Sequence, residues 1–217
     1  MGKDKLRRFA EIDTFSNVLQ MDAGKPFKGN WAANQFKNNN PVVLELACGK
    51  GEYTVNLAQL FPHKNFIGVD YKGNRIWRGA KTALEENVNN VAFLRIQIEN
   101  LIDYFVPGEV DEIWITFPDP QPQLSREKKR LTSSRFLDMY RIILKPGAYI
   151  NLKTDNDALH AYTAEKIAEL NLGLHAKTED LYHSPYADEV LSIKTYYEKK
   201  YLAHNKNINY LKFSFGT

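Results

Sequence analysis

The chain of 217 residues holds a single cysteine, Cys48, so it cannot close an internal disulfide, and no basic-then-apolar leader opens it. These features predict a reducing cytoplasm. No apolar run approaches the ~18 residues of a membrane-spanning helix, so no membrane partner is expected. Glycine (12) and proline (9) are too sparse for a collagen-like or low-complexity chain, and no internal repeat suggests a solenoid. The five histidines are dispersed and no Cys/His spacing suits zinc, so no metal is expected. Charge of one sign is also lacking. Basic residues (29) barely exceed acidic ones (26), and a net +3 names no nucleic-acid partner unless the cations cluster. What the chain does have is 43% hydrophobic residues within one domain's length, enough for a core.

Residues 1–40 mix Lys3, Lys5, Arg7 and Arg8 with Asp4, Glu11 and Asp13, then run through Gly24, Pro26 and Gly29 to an Asn38–Asn40 tract. This reads as an arm or short helix followed by loop, outside the core, with the main domain at 41–217. From Pro41 the pattern changes. Residues 41–47 are almost continuously apolar and are ended by Gly49 and Gly51, the profile of a strand buried on both faces of a parallel sheet. The spacing then predicts a helix at 52–61, strand at 65–70, helix at 73–89, strand at 91–96, short helix at 99–105 and strand at 112–117. A helix at 133–143, strand at 148–153 and helix at 156–170 complete the alternation. Ser192–Tyr201 and Asn207–Phe215 alternate like strands around a polar connection and read as an antiparallel hairpin. The fold class is therefore α/β, a doubly wound, mostly parallel twisted sheet finished by a C-terminal antiparallel hairpin. Its ligand is expected at the carboxyl ends of the strands.

The turn Glu45-Leu46-Ala47-Cys48-Gly49-Lys50-Gly51 links the first predicted strand to a helix, where glycine lets backbone approach a nucleotide. A dinucleotide fingerprint fails, because Gly49 and Gly51 would put Thr54 at the third glycine. Instead an acid stands four residues before the first glycine, and a second acid, Asp70, closes the next strand. The pattern resembles the E-x-G-x-G-x-G loop of class I S-adenosylmethionine methyltransferases, a Rossmann-like fold, with Ala47 in place of the first glycine. Glu45 would answer the methionine ammonium, Gly49 and Gly51 would let the cofactor approach, and Asp70 would accept the ribose hydroxyls. Gln97, closing the third strand, stands where such folds contact the adenine. Cys48 reads as a small packed residue.

Phe117-Pro118-Asp119-Pro120-Gln121-Pro122-Gln123 follows the fourth strand, and the prolines fix the backbone on both sides of Asp119. Arg126, Lys128, Lys129 and Arg130 come next, opposed only by Glu127, and read either as a solvated face or as a clamp on RNA phosphates. Phe117–Pro120, the Glu45 loop, Thr154-Asp155 and Thr195-Tyr196-Tyr197-Glu198 together resemble the bacterial tRNA (guanine-N7)-methyltransferases, from about Leu44 to the C-terminus. The resemblance implies tRNA as partner, S-adenosylmethionine as cofactor with S-adenosylhomocysteine as product, and the variable-loop guanine as target. It implies Glu45, Gly49, Gly51, Asp70, Gln97 and Asp119 as the cofactor site, with Asp119 also catalytic. Gln123, Asp155, Thr195, Tyr196, Tyr197 and Glu198 would contact the target nucleoside, and Asp155 and Glu198 could accept from the guanine N1–H and amino group. Thr154-Asp155-Asn156 also reads as a helix N-cap.

The chain departs from the family's FPDPWPK pattern. Gln121 takes the tryptophan position, Gln123 the lysine position, and Gln97 replaces an acid. Two alternatives stand beside this reading: a class I methyltransferase with a protein or small-molecule substrate, and an RNA-binding relative that has lost catalysis. The oligomeric state, monomer or homodimer, is left open.

Overall fold

The computed structural model describes residues 3–216, with the side chains of Lys3 and Tyr197 outside the description. The element that organises the rest is the apolar run after Pro41. It forms β2 (Val42–Leu46), all five residues of which are buried. Alternate side chains feed two cores: Val42, Leu44 and Leu46 pack on one face of the sheet and Val43 on the other. Around it lie β3 (Asn65–Val69), β4 (Val91–Arg95), β5 (Val110–Thr116) and β6 (Leu144–Thr154), all parallel to their neighbours among these five. β2 pairs with β3 on one side and β5 on the other, Leu44 standing opposite both Ile67 and Ile113. Here the crossovers part in opposite directions, which opens a crevice at the carboxyl ends of β2 and β5.

Helices α1 (Lys3–Ile12), α2 (Glu52–Leu60) and α3 (Gly73–Glu85) cover one face. The other carries α4 (Ser134–Ile143), α5 (Asp157–Glu169) and a 3-10 turn at Ile98–Asp103. These helices lie within or close to the expected ranges.

Three features differ from expectation. The first forty residues enter the core. β1 (Val18–Gln20) adds an edge strand to β4, and Trp31 is wholly buried, stacked on Phe105 and donating its indole N–H to the Tyr104 carbonyl at 2.8 Å. The antiparallel strands at the C-terminal end are present, but the last strand, β8 (Asn209–Ser214), takes β7 (Gly173–Thr178) as its partner and not Ser192–Tyr201. The full order is β1-β4-β3-β2-β5-β6-β8-β7. Residues from Tyr196 to Leu202 form α6. Thr195 caps it by accepting from the Glu198 amide, and the Glu198 side chain accepts from the Thr195 amide, a reciprocal box that outweighs the strand preference of the two tyrosines.

Candidate active site

The turn after β2 runs through three left-handed residues, Ala47, Gly49 and Gly51, at φ +58°, +56° and +69°. At Gly51 glycine is favoured twice over, by its positive φ and because a Cβ would lie 2.4 Å from the Phe93 ring. Ala47 occupies the position where the methyltransferase pattern has its first glycine, and it adopts a glycine-like conformation with its Cβ retained. Glu45 is buried beneath this turn. Its Oε1 accepts from the Thr116 hydroxyl at 2.5 Å, and its Oε2 accepts from the Thr54 amide at 2.8 Å and from the Thr54 hydroxyl. Burial raises its carboxyl to about 7, opposed by the Thr116 and Thr54 hydrogen bonds. Burial also pushes the Cys48 thiol well above the ordinary range, so Cys48 is a packed residue with no thiolate chemistry.

Asp70 stands just beyond β3. One oxygen accepts from the Gly49 amide at 3.0 Å and the other from the Lys72 amide at 2.8 Å, which ties the acid to the glycine turn. A cleft of about 400 Å³ opens beside it, lined among others by Ala47, Asp70, Gln97, Phe117, Asp119 and Lys129. A smaller cavity of about 60 Å³ adjoins Ala47 and reaches Glu45, Gly49, Thr116 and Thr195. Five of the six residues expected at the cofactor site, Glu45, Gly49, Asp70, Gln97 and Asp119, thus line two cavities that share Ala47, Arg75 and Phe117 as walls.

Phe117 and Gln121 bracket Asp119 with positive φ of +49° and +45°, both non-glycine. Such backbone is held only where its surroundings over-determine it. The Phe117 amide donates to the Lys153 carbonyl at 2.9 Å, and the Gln121 amide donates to Asp119 Oδ1 at 3.1 Å. Asp119 is exposed at the mouth of the cleft. Of the basic segment, Arg126, Lys128 and Lys129 are exposed, whereas Arg130 is partly buried, donates to the Gln121 carbonyl at 3.2 Å and lies 4.3 Å over the Tyr162 ring. Arg130 therefore braces the Asp119 turn. Gln123 is exposed and stands outside the cleft lining.

The tail residues divide. Thr195 reaches the smaller cavity, and the next residue, Tyr196, donates its amide to Glu52 at 2.8 Å with the Lys50 ammonium 4.0 Å over its ring. Glu198 has no exposed surface. Its carboxylate is held by Lys153 at 3.0 Å and by the Tyr182 hydroxyl at 2.5 Å. Asp155 lies 3.5 Å from Lys206 and outside the cleft lining. The helix cap expected from it belongs to its neighbour, Asn156, whose side chain accepts from the Leu159 amide at 2.8 Å. The Tyr197 side chain lies outside the described residues.

Sequence reading missed Thr54 and Thr116, which clamp Glu45, and Lys72 and Arg75, which line the cleft with Lys129. The two threonines carry no motif, and only the fold brings them together. Lys72 and Arg75 flank the start of a helix and were legible as cations near Asp70.

Residues 39–211 match a family model described as "Putative methyltransferase". A tRNA (guanine-N(7)-)-methyltransferase of Christiangramia forsetii is 50% identical over 220 residues, covering 98% of this chain and 98% of the relative. The chain belongs to this family. The enzyme of the same name from Bacteroides thetaiotaomicron is 48% identical over 219 residues, covering 98% of this chain and 86% of its own. Among solved structures, the 16S rRNA methyltransferase KamB superimposes with a TM-score of 0.65 at 18% identity, covering 88% of this chain and 95% of KamB. A variant of the 16S rRNA (adenine(1408)-N(1))-methyltransferase of Catenulisporales acidiphilia, with cosubstrate SAM, gives 0.58 at 15%, covering 85% and 89%. At these identities the likeness is one of fold, and the α/β, Rossmann-like class I methyltransferase architecture expected from the sequence is the one observed.

Proposed function

We propose that the chain transfers the methyl group of S-adenosylmethionine to N7 of the variable-loop guanine of tRNA. The observation that carries the reading is the convergence of Glu45, Asp70 and Asp119 on adjoining cavities at the switch point of the sheet, with exposed cations at the rim. Two carboxylates and a glycine turn, without the third glycine that a pyrophosphate needs, suit a ligand bearing an ammonium and ribose hydroxyls. Asp70 would hold the ribose, Glu45 and Gly49 the amino-acid end, and Gln97 the adenine. When bound, the cofactor supplies a methyl group on a sulfonium.

Guanine N7 has a lone pair and no proton, so the protein need furnish no general base. Its task is alignment, worth up to ~7–11 kcal/mol in ideal systems. Positive charge moves onto the purine as the methyl arrives. Asp119, whose Oδ2 makes no hydrogen bond among the described residues, is oriented by Gln121 and Arg130 to stabilise that charge. Arg126, Lys128 and Lys129 would hold phosphates.

The test is incubation with methyl-labelled S-adenosylmethionine and unmodified tRNA, followed by mapping of the labelled base. Label at N7 of a variable-loop guanine is the expected result. Label on protein alone, or on another base, would replace the substrate assignment.

A further inference from the structure

Lys153, at the carboxyl end of β6, is the only lysine among the buried described residues. An ammonium has three N–H donors, and here all are used: the Leu191 carbonyl at 2.8 Å, the Ile193 carbonyl at 3.2 Å and the Glu198 carboxylate at 3.0 Å, with the Tyr53 ring 5.1 Å away. A buried ion pair is weak evidence of a contribution to stability, since desolvation consumes what attraction returns and apolar replacement is often neutral. The pair therefore needs another reason to be there.

What it holds is the stretch 188–195, which has no strand or helix of its own. That stretch is stitched to the cofactor turn by the Tyr53 hydroxyl, which donates to the Val190 carbonyl at 2.9 Å, and by the Tyr196 amide on Glu52. It ends at Thr195, a wall of the small cavity shared with Glu45 and Gly49. Thr195 is fixed in turn by Glu198 through the helix-capping box. An apolar side chain at position 153 could fill the space but could not hold two carbonyls and a carboxylate at once.

We propose that Lys153 is a positioning residue for the methyl donor, acting through Glu198 to set the Thr195 wall of the cavity that takes the donor's amino-acid end; this rests on the methyl-donor reading above. The experiment compares wild type, the double variant Lys153→Met/Glu198→Gln and Tyr182→Phe by calorimetric titration with S-adenosylmethionine, thermal melting, and steady-state kinetics with tRNA. The double variant is expected to fold but to melt somewhat below wild type, because both charges leave together while the Leu191 and Ile193 carbonyls lose their donor. Its donor Kd is expected to rise at least tenfold, its donor KM to rise by more than kcat falls, and its tRNA KM to stay unchanged. Tyr182→Phe, which removes one hydrogen bond to Glu198, is expected to raise donor Kd a few-fold. Wild-type donor affinity in a folded double variant overturns the proposal. Should that variant not fold, unchanged donor affinity in Tyr182→Phe overturns it equally. A wild-type protein that binds no donor overturns the methyl-donor reading itself, whereas a wild type that binds and variants that bind equally well remove only the role of Lys153.

Discussion

The Thr116 hydroxyl, at the end of β5, donates to the Glu45 carboxylate, in the neighbouring β2, at 2.5 Å. These paired strands, whose crossovers part at the switch point, are thus also linked through an acid whose proton affinity is raised by burial.

A carboxyl raised from 4.5 to about 7 titrates within the working range. An ammonium ligand prefers the carboxylate, so donor affinity is expected to fall up to tenfold per pH unit as pH drops below about 7. Calorimetric titration between pH 5.5 and 8.5 checks this, and a flat profile would detach Glu45 from the ligand.

The same shift bears on folding, with the opposite sense. The native state holds the Glu45 proton up to about pH 7 while the unfolded state loses it near 4.5, so the burden of the buried carboxylate is absent at low pH and complete above 7. Glu45→Gln is expected to stabilise the ligand-free protein by up to roughly 3 kcal/mol at pH 8, and by little at pH 4. Urea unfolding of both proteins at the two pH values measures the difference. A Gln variant less stable at pH 8 would show that the threonine hydrogen bonds outweigh burial.

Gly51→Ala places a Cβ 2.4 Å from Phe93 in a left-handed residue. The expected loss is about 2–4 kcal/mol, from overpacking and backbone strain together. An unaltered urea midpoint would mean that the Phe93 ring moves aside.

Asp119→Asn keeps shape and removes charge. The single-turnover rate at saturating tRNA is expected to fall by about 10²-fold or more with donor affinity nearly intact. Wild-type rates would reduce Asp119 to a turn residue.

For the rim, replacing Arg126, Lys128 and Lys129 by Ala should reduce the magnitude of the salt slope of tRNA binding by about two to three units. Arg130→Ala, which unbraces the Asp119 turn, should lower the rate and leave that slope alone. Equal slopes in the triple variant and wild type would make these three cations a solvated face.

The parallel half of the fold was legible because burial on both faces leaves unbroken apolar runs, as at Val42–Leu46. The C-terminal third was not. The sequence Thr195-Tyr-Tyr-Glu198 reads as strand by aromatic content, and only the T-x-x-E spacing marks a helix start. β7 hides because four of its six residues are not apolar. At the site, motifs located the acids and the glycine turn. They were silent on what each acid touches, so the burial of Glu198 and the separation of Asp155 from the cleft emerged only from tertiary packing. Trp31 looked like part of an arm because the loop residues around it conceal that one indole fills a hole beside Phe105.

β8 sits between two strands that both precede it in the chain, and β7 joins the sheet only through it. On the ribosome, β7 therefore emerges before the strand it will pair with, and the outer edge of β6, with Ile150 and Leu152, waits unpaired in the meantime. An open apolar edge of that kind is a template for wrong partners. Slow translation through the stretch between β7 and β8 would prolong that exposure, so the aggregation losses of this chain during synthesis should concentrate there.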